Sequence, residues 1–296
     1  MDRNYRMLWW RHCLAIIGFS VIPLLFVNLS LYALFDRIYT DKVTETLRSS
    51  VENRRDAIDL FFNERIAQLF TIANTNTFAD LTDETYLGRL FEIMHTKSDS
   101  YMDIGIIDSE GNHLAYVGPY HDLLISVNYK NEPWFNEVRA KGVHISDIFM
   151  GYRKFPHFII AVMVREQNTS WILRVTINLK NIDHIVEKAW AGTLSDAFLI
   201  NSKNRLQTVP RFGGEFLAVP TIPQFTTSTL EPVPYPDFSS TVKTKVERLD
   251  LRGYEAFIAA APVEHTKWVL VLKENPDEIL SPLVKGKYWM ALLTAL

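Results

Sequence analysis

One cysteine, Cys13, occurs in 296 residues, so the chain has no intramolecular disulfide and no thiolate-rich metal cluster. Also missing are a glycine-rich phosphate loop, a Gly-x-Ser-x-Gly elbow and a His-Glu-x-x-His helix. No catalytic residue, metal ligand or cofactor is therefore assigned. His113, His121, His144 and His157 fall in one region, but their spacing fits no metal pattern, and they read as surface or hydrogen-bonded residues. Asp183-His184 has no nucleophile in view. An excess of positive charge is absent too: the chain holds 31 basic and 34 acidic residues. Setting aside Arg3, Arg6, Arg11, Lys287 and Asp2 leaves 27 against 33, a net charge of −6 over residues 36–286. That balance argues against nucleic acid as a partner.

A further absence is the most informative. Cys13 to Phe35 contains 23 residues and no charge. As a helix the run reaches roughly 35 Å at about 1.5 Å per residue, enough for a hydrocarbon core of about 30 Å. It reads as a transmembrane helix over 13–35. The tail 1–12, with Arg3, Arg6 and Arg11, stays cytoplasmic by the positive-inside bias, and Trp9, Trp10, Tyr32 and Phe35 fall at interface depth. Two other readings compete. A cleaved signal peptide has a shorter apolar region and a small-x-small site; a buried soluble helix fits the interruptions at Ser20, Pro23, Asn28 and Ser30, which membrane helices also tolerate. At the far end, Tyr288 to Leu296 is apolar but nine residues long, and 286–296 reads as the start of a second, truncated membrane helix. This topology puts the chain in the cell inner membrane, with 36–285 periplasmic or extracellular.

No Pro or Gly interrupts residues 36–78, and Val43, Leu47, Val51, Ile58, Phe62, Ile66 and Leu69 recur at helical spacing. The spacing predicts one long amphipathic helix, a spine for the domain packed on it and a homodimer seam. Beyond it the chain repeats. Ile107-Asp108-Ser109 parallels Ile200-Asn201-Ser202, Phe158-Ile159-x-Ala161 parallels Phe257-Ile258-x-Ala260, and Trp171-Ile172-Leu173 parallels Trp268-Val269-Leu270, in the same order. One plan occurring twice predicts two units, 79–190 and 191–285. Each has about five antiparallel strands, an α+β fold. In the first, a hairpin turns at Glu110-Gly111, a short helix spans 133–140, strands cover 144–150, 158–164 and 171–178, and a helix runs 179–190. Five prolines between Val219 and Pro236 predict a loop.

A membrane helix, a long membrane-proximal helix and two tandem PAS-like units together resemble the double Cache sensing region of bacterial histidine kinases, chemoreceptors and diguanylate cyclases. The hairpin Ile106 to Asn112, the segment Asn131-Glu132-Pro133-Trp134-Phe135 and the strands from Phe158 and Trp171 carry the likeness. The resemblance implies a small-molecule ligand in the membrane-distal unit, beneath a pattern like Arg-Pro-Trp-Tyr whose Arg takes a ligand carboxylate. Here Trp134 and Phe135 match, Glu132 replaces the Arg, Val127 replaces an upstream Tyr, and Thr176 stands where an Asp holds the ligand amine. A standard free amino acid is disfavoured on those departures. A carboxylate among Trp134, Tyr129 and Tyr152 favours a cationic amine, with cation–π attraction of roughly 0.5 to 2 kcal/mol. Equally open is a Glu132 that faces solvent at a helix start, with Trp134 and Phe135 filling core; Phe158 and Trp171 read as core. The resemblance implies a sensor histidine kinase whose catalytic part lies beyond residue 296, with a chemoreceptor or cyclase as alternatives. A membrane-tethered enzyme or adhesive domain is the reading from another class.

Overall fold

In the computed structural model, residues 3–166, 169–188, 195–222, 233–251 and 254–275 are described. The expected second membrane helix lies outside them.

The apolar segment and the spine are one helix. α1 (Arg3–Thr75) runs 73 residues, or about 110 Å at 1.5 Å per residue, through Pro23. It is the one helix among the described residues long and apolar enough to cross a membrane, and its apolar window buries nothing within the fold. Farther along, Val43, Leu47, Val51, Ile58, Phe62 and Leu69 are all buried. α1 stops at Thr75, short of residue 78, because Thr77 caps α2 (Phe78–Thr82): its Oγ1 accepts the Asp80 N–H at 3.2 Å, and Asp80 reaches back to the Thr77 N–H at 3.3 Å. Asp83 caps α3 (Glu84–Lys97) in turn.

The first unit is a five-stranded antiparallel sheet in the order β2-β1-β5-β4-β3. Its strands are β1 (Tyr101–Ile107), β2 (His113–Val117), β3 (Val143–Ile145), β4 (Phe158–Glu166) and β5 (Thr169–Ile177). α4 (His121–Leu124) and α5 (Pro133–Lys141) lie between β2 and β3, and α6 (Leu179–Glu187) leads out. The expected strand 144–150 is cut to β3 plus one bridge, Phe149 to His157. Ser146 and Asp147 interrupt it: Ser146 Oγ accepts the Ile159 N–H, and Asp147 turns its carboxylate to the other unit.

The second unit is a four-stranded antiparallel sheet in the order β6-β11-β10-β9, with β6 (Asp196–Ile200), β9 (Lys245–Leu251), β10 (Tyr254–Pro262) and β11 (Val269–Glu274). The repeat is real at the level of pairing: β1-β5-β4-β3 and β6-β11-β10-β9 have the same order. The counterpart of β2 is reduced to one bridge, Ile200 to Leu206, since Thr208 Oγ1 rather than a backbone carbonyl takes the Leu199 N–H and Pro210 follows with no N–H to give. The expected loop 219–236 contains a short ladder, β7 (Thr221–Ile222) against β8 (Val233–Pro234); what lies between falls outside the described residues.

Contacts order the units along the spine. Arg48 Nη1 donates to Thr244 O at 3.3 Å, and the Glu264 N–H donates to Asp59 at 2.7 Å, so the second unit sits nearer the apolar segment. Arg65 Nη2 donates to Ser100 Oγ at 2.9 Å, which places the first unit farther out. Phe62 joins the two: its ring meets Phe158 of β4 at 6.0 Å and Trp268 beside β11 at 5.7 Å, both edge-on.

Candidate ligand site

The face of the first sheet turned away from α1 is covered by α5 and by the chain around Tyr129. Pro133 at the first turn starts α5, with Glu132 as N-cap. Four of the six residues singled out in the sequence meet there around Tyr129. The Tyr129 ring lies 5.2 Å from Trp134 and 6.2 Å from Tyr152, and the Tyr152 hydroxyl donates to Glu132 Oε1 at 3.2 Å. Tyr152 is 46% exposed and marks the outer edge, whereas Tyr129 and Trp134 are buried. Thr176 on β5 is fully buried in register with Asp103 of β1, and its Oγ1 has no hydrogen-bond partner. Phe135 belongs to the packing of this face, fully buried in one cluster with Tyr129, Trp134, Val138, Ile159 and Ile172.

Beneath these residues lies a charged cluster that the sequence reading did not single out. Asp103 is fully buried and accepts hydrogen bonds from Arg153 Nη2, from Arg174 Nη2 at 2.8 Å and from the Tyr116 hydroxyl at 3.2 Å. Arg174 Nη1 donates to the Tyr129 hydroxyl at 3.4 Å, and its guanidinium stands 5.4 Å over the Tyr129 ring, which links the cluster to the aromatic group. Arg153, from the turn after Met150, lies 5.6 Å over Tyr120. Gly118 makes the close passage possible: a Cβ there would lie 2.4 Å from Asp103 Cβ.

The electrostatics are one-sided. Two guanidinium groups share one carboxylate in a place closed to solvent, leaving one positive charge in excess. Burial works against the Arg174 charge, but Asp103, Tyr129 and Tyr116 outweigh it and raise its pKa above the ordinary value. His113 and His157 flank the cluster without adding charge: burial, reinforced by the nearby arginines, lowers both to about 4. Nδ1 of His113 donates to Leu124 O at 2.8 Å, and Nδ1 of His157 to Phe155 O at 2.9 Å. Burial, with the Asp103 charge next, raises the Tyr116 pKa and keeps that hydroxyl a donor. The Nε atoms of Arg153 and Arg174 and the Nε2 of His113 are buried without partners. The other two histidines lie elsewhere, His121 at 3.2 Å from Glu84 and His144 toward the second unit. Among the described residues no three His, Cys, Asp or Glu side chains converge to hold a metal ion.

The signal was in the strands. Asp103 interrupts Tyr-Met-Asp-Ile-Gly-Ile-Ile, and Arg174 interrupts Trp-Ile-Leu-Arg-Val-Thr-Ile; both strands are otherwise apolar enough to be buried. A charge in such a strand needs a partner, and these two partner each other.

Similar folds are known. The extracellular domain described as that of a histidine kinase, rpHK1S-Z16, superposes with a TM-score of 0.56 at 12% identity, covering 82% of this chain and 99% of that one. The ligand-binding domain of the Pseudomonas fluorescens chemoreceptor CtaA, solved with L-isoleucine, gives 0.59 at 14% identity over 81% of this chain and 95% of that one. That of the Pseudomonas aeruginosa amino acid chemoreceptor PctC, solved with GABA, gives 0.57 at 13% identity over 79% and 100%. Comparison with curated proteins finds no match. The Cache domain model matches residues 35–283, from the end of the apolar segment through both sheets, and this chain belongs to the Cache family of ligand-binding sensor domains.

Proposed function

We propose that the first unit binds a small molecule carrying both a carboxylate and an ammonium, and that residues 36–285 report its presence from outside the cytoplasm. The unbalanced Asp103, Arg153 and Arg174 cluster carries the reading, because an anion neutralises the charge left over and gives the buried guanidinium N–H groups an acceptor. Glu132, with the Tyr129, Trp134 and Tyr152 rings, offers a cation site at the outer edge. Tyr129 touches both poles, its hydroxyl accepting from Arg174 Nη1 and its ring lying beside Trp134 and Tyr152, so a ligand that bridges them carries an acid and an amine. Thr176, opposite Asp103, adds a hydroxyl.

In this reading α1 crosses the cell inner membrane, pairs with the α1 of a second copy, and carries the ligand-dependent shift of the sheets. A ligand moves that equilibrium only by its difference in affinity for the two arrangements. The output is a histidine kinase module beyond residue 296, by likeness to the kinase extracellular domain; the chemoreceptor likenesses support a chemoreceptor output equally.

A thermal-shift screen of the full chain in nanodiscs tests the ligand. A ligand at 100 times its dissociation constant adds about 2.7 kcal/mol of stability. Amino-carboxylates are expected to raise the melting temperature in the wild type and to lose at least about tenfold in affinity in Arg153→Gln, about 1.4 kcal/mol. Hits among simple carboxylates with every amine silent remove the ammonium and Glu132 from the reading. Hits among amines alone, unaffected by Arg153→Gln, overturn it.

A further inference from the structure

A cavity of about 870 Å³ lies between the units, within the range of small-molecule sites. One wall comes from the first unit, where Pro133, Trp134, Val143, Ile145 and Phe149 supply apolar surface. The other wall is two turns of the second unit, Ser202-Lys203 and His265-Thr266-Lys267. None of Asp103, Arg153 or Arg174 lines it, so it meets the first site only at the Glu132–Trp134 corner.

Most charges at this cavity are already committed. Glu137 is tied to Lys141 at 2.5 Å, Glu132 accepts from Tyr152, and Asp147 accepts from Trp268 Nε1 and Asn201 Nδ2, each at 2.9 Å. His144 is half-buried, and burial lowers its pKa, which leaves a neutral ring. Lys203 and Lys267 make no ion pair among the described residues. The cavity thus offers two lysines outside any ion pair from one unit, Lys267 within electrostatic reach of Glu137, and apolar surface from the other.

We infer that this cavity binds an organic anion with an apolar body, its acid group on Lys203 and Lys267 and its body on the Trp134 and Phe149 side. Such an occupant touches both units and fixes the second unit's turns against α5. The turn that bears Lys267 is also bonded to the spine, through the Glu264 N–H to Asp59 at 2.7 Å and through His265 Nε2 to Asn63 at 2.9 Å. Occupancy is therefore felt by α1 without passing through the arginine cluster.

The probe is 4-phenylbutyrate, titrated calorimetrically into the full chain in nanodiscs, with 4-phenylbutylamine and butyrate as controls for charge and for the apolar body. The expected result is saturable binding of phenylbutyrate with a dissociation constant below about 1 mM. Both controls bind at least about tenfold more weakly, and the Lys203→Gln/Lys267→Gln variant loses at least about tenfold. Mass-spectrometric footprinting with an acetylating reagent supplies a second readout, in which phenylbutyrate slows modification of Lys203 and Lys267 in the wild type. Affinity retained in Arg153→Gln supports the separate site. Absence of binding, equal binding of the amine, unprotected lysines or loss of binding in Arg153→Gln overturns the inference.

Discussion

The two units repeat one strand order but finish it with different electrostatics. In the first, Asp103 of β1 lies in register with Thr176 of β5, and its counter-charges are Arg174, two residues along the strand, and Arg153 from a turn. In the second, Asp196 of β6 lies in register with Lys273 of β11, so acid and base are cross-strand neighbours. The Lys273 ammonium stands 5.2 Å from the Phe212 ring, and Asp196 accepts the Arg211 N–H at 2.9 Å. One cation faces one acid in the second unit, whereas two face one in the first. A single scaffold thus sets one buried cation beside its acid in one copy and two in the other, the imbalance on which the proposed ligand site in the first unit rests.

Removing each acid should separate the two finishes most sharply. Asp103→Asn leaves two buried guanidinium groups, which cannot lose their protons, and is expected to cost about 3 to 5 kcal/mol in chemical denaturation. Asp196→Asn leaves a lysine, whose pKa falls readily on burial, so the expected cost is about 1 to 3 kcal/mol. Equal costs would remove the contrast.

Acid sharpens it next. His113 and His157 are bases held at about 4 when folded against 6.5 when unfolded, so the unfolded chain binds more protons between those values. The stability they support is complete above pH 6.5 and is lost as pH falls toward about 4. Asp59, where the spine meets the second unit, runs the other way: burial raises it from 3.8 to about 6, so its penalty grows as pH rises through that window and is relieved by acid. Melting temperatures between about pH 7 and pH 4 should fall in the wild type, fall less in His113→Asn/His157→Gln, and fall more steeply in Asp59→Asn.

The smallest effect compares the turns. Gly111 in the first hairpin has φ +89°, and a Cβ there would lie 2.4 Å from Lys130 N, whereas Asn204 carries the second turn at φ +53°. Gly111→Ala is expected to cost more than about 1 kcal/mol, and Asn204→Gly no more than about 0.5 kcal/mol either way, by equilibrium denaturation.

Much of this architecture was legible because it is written in period and order. The uninterrupted 36–78 stretch gave a helix, three collinear blocks gave the repeat, and Glu110-Gly111 gave the hairpin. What the pattern could not show is where side chains replace backbone partners. Thr208 supplants a strand pairing in the second unit, Asp147 cuts β3 short, and a capping box ends α1 before Asn76. The site was half legible. The aromatic segment 129–135 stood out, but Arg153 and Arg174 are brought to Asp103 across 50 and 71 residues, Arg174 by sheet register and Arg153 by the turn after Met150.

Hydrogen exchange resolved along the chain, with and without a stabilising amino-carboxylate, tests the central claim most directly. The account predicts slower exchange in β1, β5 and the turn bearing Arg153, with β6 and β11 changed little and the effect abolished in Arg153→Gln. Protection centred on β6 and β11, or equal protection in that variant, would contradict it.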